Sequence, residues 1–136
     1  AFLQLSLLGK GDTVIDRNVY VLPSANGDYS WLSKMDQANI SIFATPKGTD
    51  SVEVSIENTS HSMPWGTNTV AFFNRLALVD AASKERILPL FCSDNYITLL
   101  PHETKKVILA CSPGKKRTLQ VSIEGWNVKK QYVAIK

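Results

Sequence analysis

The sequence predicts an all-β, antiparallel β-sandwich. Three observations carry this. Apolar residues recur with period two, as in Leu3, Leu5, Leu7 and again in Val52, Val54, Ile56. The apolar runs are short and broken by Gly, Pro, Asn and Ser at regular intervals. No segment sustains a helical period over several turns. With 136 residues, 44% of them hydrophobic and 20% charged, the chain has the length and composition of one globular domain. That excludes a disordered chain, a collagen and a disulfide-dense miniprotein.

Taken in order, Leu3 to Leu7 forms the first run, and Gly9-Lys10-Gly11-Asp12 is a turn. Val14 to Leu22 follows, stopped by Pro23, with Ser24 to Asp28 as a loop containing Asn26-Gly27, a pair that favours positive φ. Ile40, Ile42 and Ala44 end at Pro46-Lys47-Gly48. Val52, Val54 and Ile56 alternate with Glu53, Ser55 and Glu57, the pattern of a strand buried on one face. Runs at 70–79, 87–91, 96–100, 106–110, 118–123 and 132–135 complete about ten strands. Two places compete for helix. Trp31, Met35 and Ala38 have helical spacing over a short segment, and Phe72, Leu76, Val79 and Ser83 could share a helical face. Strand is preferred for the second, with Asp80 to Lys84 turning into Ile87. The inner faces are expected from Leu3/Leu5/Leu7, Val52/Val54/Ile56, Phe73/Ala77/Val79 and Val121/Ile123. With no repeat and no linker-like stretch, residues 1–136 read as a single domain, and strand pattern at both ends reads as a fragment of a larger multidomain protein.

The net charge of +3 is too small to imply nucleic acid, and the lysine clusters 105–106, 115–117 and 129–130 read as turn and strand-edge charges. No apolar run is long enough to span a membrane, and no signal-peptide pattern is present. Cys92 and Cys111 read as two buried thiols, with a disulfide as the alternative if their strands are neighbours. Asn39-Ile40-Ser41 and Asn58-Thr59-Ser60 fit the glycosylation pattern. Neither a phosphate-binding glycine loop nor a nucleophile elbow occurs, and His61 and His102 are not at zinc-finger spacing. No cofactor, metal or catalytic residue is indicated. Asp94 and Glu124, each beside aromatic sequence, are the carboxylates least easily dismissed as an acid/base pair, though a structural role is favoured for both. Trp31, Trp65 and Trp126 are expected in the core or at an interface. Trp65, in His61-Ser62-Met63-Pro64-Trp65-Gly66, is the one to watch, because a Met-Pro-Trp loop tip is costly to leave in water.

The segments 70–80, 87–91, 93–101 and 121–127 (VAFFNRLALVD, ILPLF, SDNYITLLP, VSIEGWN), with 18–22 and 29–32 upstream, resemble the C-terminal immunoglobulin-like β-sandwich of glycoside hydrolase family 2. The members most similar are of the exo-β-glucosaminidase and β-mannosidase type, and the likeness covers roughly residues 1–130. It departs at Leu100-Pro101-His102-Glu103, with His where similar domains carry Gly, and in a longer 60–68 loop. The resemblance implies a secreted or periplasmic parent of carbohydrate metabolism, whose catalytic glutamates lie in a barrel too large for this chain. The chain itself is then a non-catalytic accessory domain. Its partners are the other domains of the parent glycosidase, with Met63 and Trp65 as candidate interdomain or sugar contacts. A carbohydrate-binding module using exposed aromatics is the alternative.

Overall fold

The computed structural model describes residues 1–60, 69–112 and 117–136. Among these are ten strands: β1 (Phe2–Leu8), β2 (Val14–Val21), β3 (Ile40–Pro46), β4 (Ser51–Asn58), β5 (Ala71–Asp80), β6 (Leu90–Cys92), β7 (Ile97–Leu99), β8 (Thr104–Cys111), β9 (Leu119–Glu124) and β10 (Gln131–Ala134). All strand pairs are antiparallel. The helical spacing at Trp31 yields only a short 3₁₀ segment, Ser30–Lys34, and Met35 is already extended. The chain divides into two compact units, Ala1–Met35 and Asp36–Lys136.

The second unit is the sandwich. One sheet has the order β3-β4-β8-β6 and the other β10-β9-β5-β7. Read as A-B-E-D and G-F-C, with β7 added beside C, this is the immunoglobulin arrangement. An isolated parallel bridge joins Ala44 on β3 to Ile135, just past the end of β10. β4 shows how the sequence builds the core: Val52, Val54 and Ile56 are buried while Glu53, Ser55 and Glu57 are half-exposed. Val54 lies opposite Ala44 on β3 and Val107 on β8. Across the core, Leu76 and Leu78 of β5 pair with Ile123 and Val121 of β9. All of these belong to one buried cluster.

Two expected inner faces are corrected. β5 carries a bulge: Ala71 pairs with Leu99 and Asn74 with Ile97, so two residues on β5, Phe72 and Phe73, stand opposite one on β7, Thr98. One extra residue moves every following side chain to the other face. Ala71, Leu76 and Leu78 therefore join the core cluster, while Phe73 is thrown outward and is 49% exposed. Ala77 and Val79 are buried, but on the face opposite Leu76 and Leu78. The second correction concerns Leu3, Leu5 and Leu7, which are exposed. Among the described residues, their strand pairs with β2 in a two-stranded sheet.

Cys92 and Cys111 are free thiols. Leu90 opposes Cys111 and Cys92 opposes Leu109, which makes the cysteines diagonal neighbours on β6 and β8. A diagonal of about 7–8 Å exceeds the reach of a disulfide without backbone movement. Both pack against the core as small hydrophobes, and burial pushes the Cys92 thiol pKa up. Asn58, one of the two candidate glycosylation positions, is fully buried, and its amide donates to the carbonyls of Thr69 (2.8 Å) and Leu99 (3.0 Å). It is a core staple, whereas Asn39 is exposed.

Candidate functional site

The β5 bulge builds the most unusual surface of the sandwich. Phe73 has φ +57° and Tyr96 φ +55°. Each is a bulky residue in the left-handed region, which costs roughly 1–2 kcal/mol for an L-residue. Their rings meet at 4.9 Å between centroids, tilted by 42°. Phe72 lies 5.5 Å from Phe73, also tilted by 42°, and 6.5 Å from Trp126 at 62°. Tyr96 and Trp126 are 52% and 59% exposed. The result is a corner of four aromatic rings from β5, the loop before β7 and the turn after β9.

Asparagines hold the corner in place. Buried Asn74 donates to the carbonyl of Ala71 (2.8 Å) and across to that of Ile97 (2.9 Å), bridging the bulge. Asn95 accepts from the backbone N–H groups of Leu76 (2.8 Å) and Tyr96 (2.9 Å) and donates to the Leu76 carbonyl (3.1 Å). Its amide thus stands in for a strand partner where β7 has not yet begun. Asn127 accepts from Phe72 N–H (2.9 Å) and donates to the carbonyls of Val70 (2.8 Å) and Asp36 (2.9 Å). The Trp126 N–H donates to the Phe72 carbonyl at 2.9 Å. Gly125 is required by space: a Cβ there would lie 2.5 Å from Asn74 Oδ1 and 2.9 Å from the Phe72 carbonyl. Buried amides of this kind fix backbone conformations that would not persist unaided.

The two carboxylates singled out from the sequence sit beside this corner, each engaged with a base. Glu124 faces Arg75 across β9 and β5, is ion-paired with it, and has Lys130 at 3.8 Å. Asp94 is ion-paired with Lys105. Among the described residues no group of three or more His, Cys, Asp or Glu is placed to hold a metal ion. No helix of the described residues is long and apolar enough to cross a membrane. Met63 and Trp65, the candidate contact residues, lie outside the described residues. His102, the residue that replaces the expected Gly, has φ +68°. The backbone there takes the conformation that glycine tolerates best.

Sequence reasoning put Phe73 in the core and expected Trp126 in the core or at an interface. The signal that locates the corner is Asn74 itself. A polar residue following Phe72-Phe73 inside an apolar strand run marks the place where alternation breaks, and Asn95 and Asn127 each adjoin an aromatic in the same way.

Fold and corner together define an all-β class: an immunoglobulin-like sandwich with an exposed aromatic surface. Residues 18–128 match the family model described as the exo-β-D-glucosaminidase Ig-fold domain, and the chain belongs to that family. It is 32% identical to an exo-β-D-glucosaminidase of Arthroderma benhamiae, over 98% of this chain and 16% of that protein. A mannosylglycoprotein endo-β-mannosidase of Lilium longiflorum is 34% identical over 82% of this chain and 12% of its own length. The crystal structure of the Amycolatopsis orientalis exo-chitosanase CsxA superposes with a TM-score of 0.83 at 25% identity, covering 98% of this chain and 18% of that one. The chain therefore spans about one-sixth of the relatives it matches. The fold and the likeness to exo-β-glucosaminidase and β-mannosidase-type glycosidases, both read from the sequence, are borne out.

Proposed function

We propose that this chain is a non-catalytic accessory domain of a larger family 2 glycoside hydrolase, and that its aromatic corner docks on other domains of that enzyme. The observation that carries this reading is the cost of the corner. Two bulky residues are held at positive φ so that three rings project into water. Exposed aromatic surface of this kind is characteristic of interaction sites. The parent would cleave O-glycosyl bonds of an amino sugar or mannoside with residues outside this chain, and would work in the periplasm or outside the cell.

A sugar-stacking role is the weaker reading for this surface. A stacking platform needs rings close to one plane, and the interplanar angles here are 42°, 42° and 62°. Calorimetry tests the two directly. Titrating the chain with chitosan oligosaccharides is expected to release no saturable heat. Titrating it with the remainder of the glycosidase is expected to give a saturable isotherm, weakened in Trp126→Ala. Saturable heat with the oligosaccharide, lost in the same variant, would overturn the docking reading.

A further inference from the structure

The outer face of β5, β9 and β10 gathers bases around one ring. Leu76 and Leu78 join the core with Ile123 and Val121, so strand alternation places Arg75, Ala77 and Val79 on the opposite face, beside Glu124, Ser122 and Gln120 of β9. Tyr132 of β10 lies opposite Ser122 and shares that face, 40% exposed. An antiparallel bridge sets exposed Arg86 beside Val79. Lys84 reaches over from the hairpin after β5, its Nζ 2.7 Å from Gln120 Oε1 and 4.9 Å from the centre of the Tyr132 ring. Lys130 Nζ lies 5.7 Å from the centre of the same ring. Between these long side chains the floor is closed: Ala77, Val79 and Ser122 are buried although they face away from the core.

The charges on this face do not balance. The register places one carboxylate on it, Glu124, among the bases Arg75, Lys84, Arg86 and Lys130. Glu124 is ion-paired with Arg75 and has Lys130 at 3.8 Å, so two bases share it. Among the described residues, neither Lys84 nor Arg86 lies within ion-pair distance of a carboxylate. The Asp80 carboxyl, at the start of the same hairpin, is taken by the N–H groups of Ala82 (2.9 Å) and Ser83 (3.0 Å). Two ammonium groups drawn to one ring repel each other, and the ring's negative face offsets only part of that repulsion. A cluster of one sign projects a positive potential and favours an anionic counterpart.

The nature of that counterpart follows from the setting. Lys84 is held by the ring and by Gln120, which suits carboxylates fixed on another folded surface better than a mobile ion. The face also borders the aromatic corner: Arg75 lies two residues from Phe73, and Glu124 two residues from Trp126. A charged rim beside an apolar patch is the usual anatomy of a protein interface. A glucosamine substrate is disfavoured by sign, because its ammonium would meet like charge.

We propose that Arg75, Lys84, Arg86 and Lys130, arrayed around Tyr132, form an electrostatic docking face for an acidic surface on the flanking polypeptide of the glycosidase. This rests on the accessory-domain reading and adds to it a contact driven by charge rather than by aromatic burial.

The salt dependence of binding tests it. The chain is titrated calorimetrically with the remainder of the glycosidase at about 50 mM and about 200 mM NaCl, where screening differs strongly. Kd is expected to rise about ten-fold or more over that range. A Lys84→Glu, Lys130→Glu double variant should weaken binding about a hundred-fold at the lower salt and flatten the salt dependence. The neutral pair Lys84→Gln, Lys130→Gln, with its urea midpoint read alongside, keeps the test decisive if charge reversal unfolds the chain; about ten-fold weakening is expected. Affinity equal at both salts and unchanged by either pair, yet lost in Trp126→Ala, would sink the charged face and leave the aromatic docking standing. Dextran sulfate bound more tightly than the remainder would overturn the proposal by assigning the face to an anionic polysaccharide. The absence of saturable heat with the remainder at either salt would overturn the accessory reading and this inference together.

Discussion

Replacing Phe73 separates a surface aromatic from a core one, and does so twice over. The ring is 49% exposed, so about half of an aromatic side chain leaves water, roughly 100 Å². At about 25 cal/mol per Å², an upper estimate, Phe73→Ala costs about 1–2.5 kcal/mol. A fully buried Phe would cost about 3–5 kcal/mol. The second comparison uses the backbone. In an ordinary strand, Gly is less stable than Ala by about 0.5–1 kcal/mol. At φ +57° the order reverses. Gly removes about 1–2 kcal/mol of left-handed strain and gives back about 0.5–1 kcal/mol through the freer unfolded chain. Phe73→Gly should therefore be more stable than Phe73→Ala by about 0.5–1 kcal/mol. Urea unfolding of the three proteins, with m unchanged, measures both differences. A Gly variant less stable than the Ala variant would refute the bulge geometry. A loss of 3–5 kcal/mol in Phe73→Ala would return the ring to the core.

Other predictions follow from the same contacts. Gly125→Ala forces a methyl against Asn74 Oδ1 and the Phe72 carbonyl, and should lower stability by about 1–3 kcal/mol, with a shift in Trp126 emission, because neither neighbour is a free side-chain end. No change in melt or emission would show that the turn after β9 is not seated on the bulge. His102→Gly should raise the thermal midpoint by the equivalent of up to about 1 kcal/mol, since His102 sits at φ +68°; a lower midpoint would mean that the imidazole's contacts outweigh its strain. In acid, Asp80 and Glu53 are informative. The N–H groups of Ser83 and Ala82 hold the Asp80 carboxyl below its usual range, and Lys106 and Lys47 do the same for Glu53. A depressed native pKa means the stabilisation is present above about pH 4 and is lost as pH falls through the native values. The urea midpoint should fall below about pH 4, and less steeply in an Asp80→Asn, Glu53→Gln double variant. Equal slopes would remove these two groups from the acid response.

Period-two alternation made most of the sandwich legible. Val52/Val54/Ile56 and Val121/Ile123 fall inside as expected because their strands are regular and single-faced. Phe73 was misplaced because alternation presupposes an unbroken register, and one inserted residue inverts it. Leu3, Leu5 and Leu7 alternate as core residues do, but alternation says which face is apolar and not what covers it. The asparagine staples were hidden for another reason. Asn74, Asn95 and Asn127 act through partners up to 91 residues away in sequence, as in the bond from Asn127 to Asp36. No local pattern records such a pairing. Met63 and Trp65 drew notice as an apolar loop tip, and they lie outside the described residues.

The docking claim is tested most directly by the thermal stability of a Phe73→Ala, Trp126→Ala double variant in two settings. In the isolated chain the account predicts a modest loss, because both rings are about half in water. In the full-length glycosidase it predicts a larger loss of melting temperature, with KM for the sugar unchanged. An unaltered full-length melt together with a raised KM would contradict it, and would place the aromatic corner against substrate.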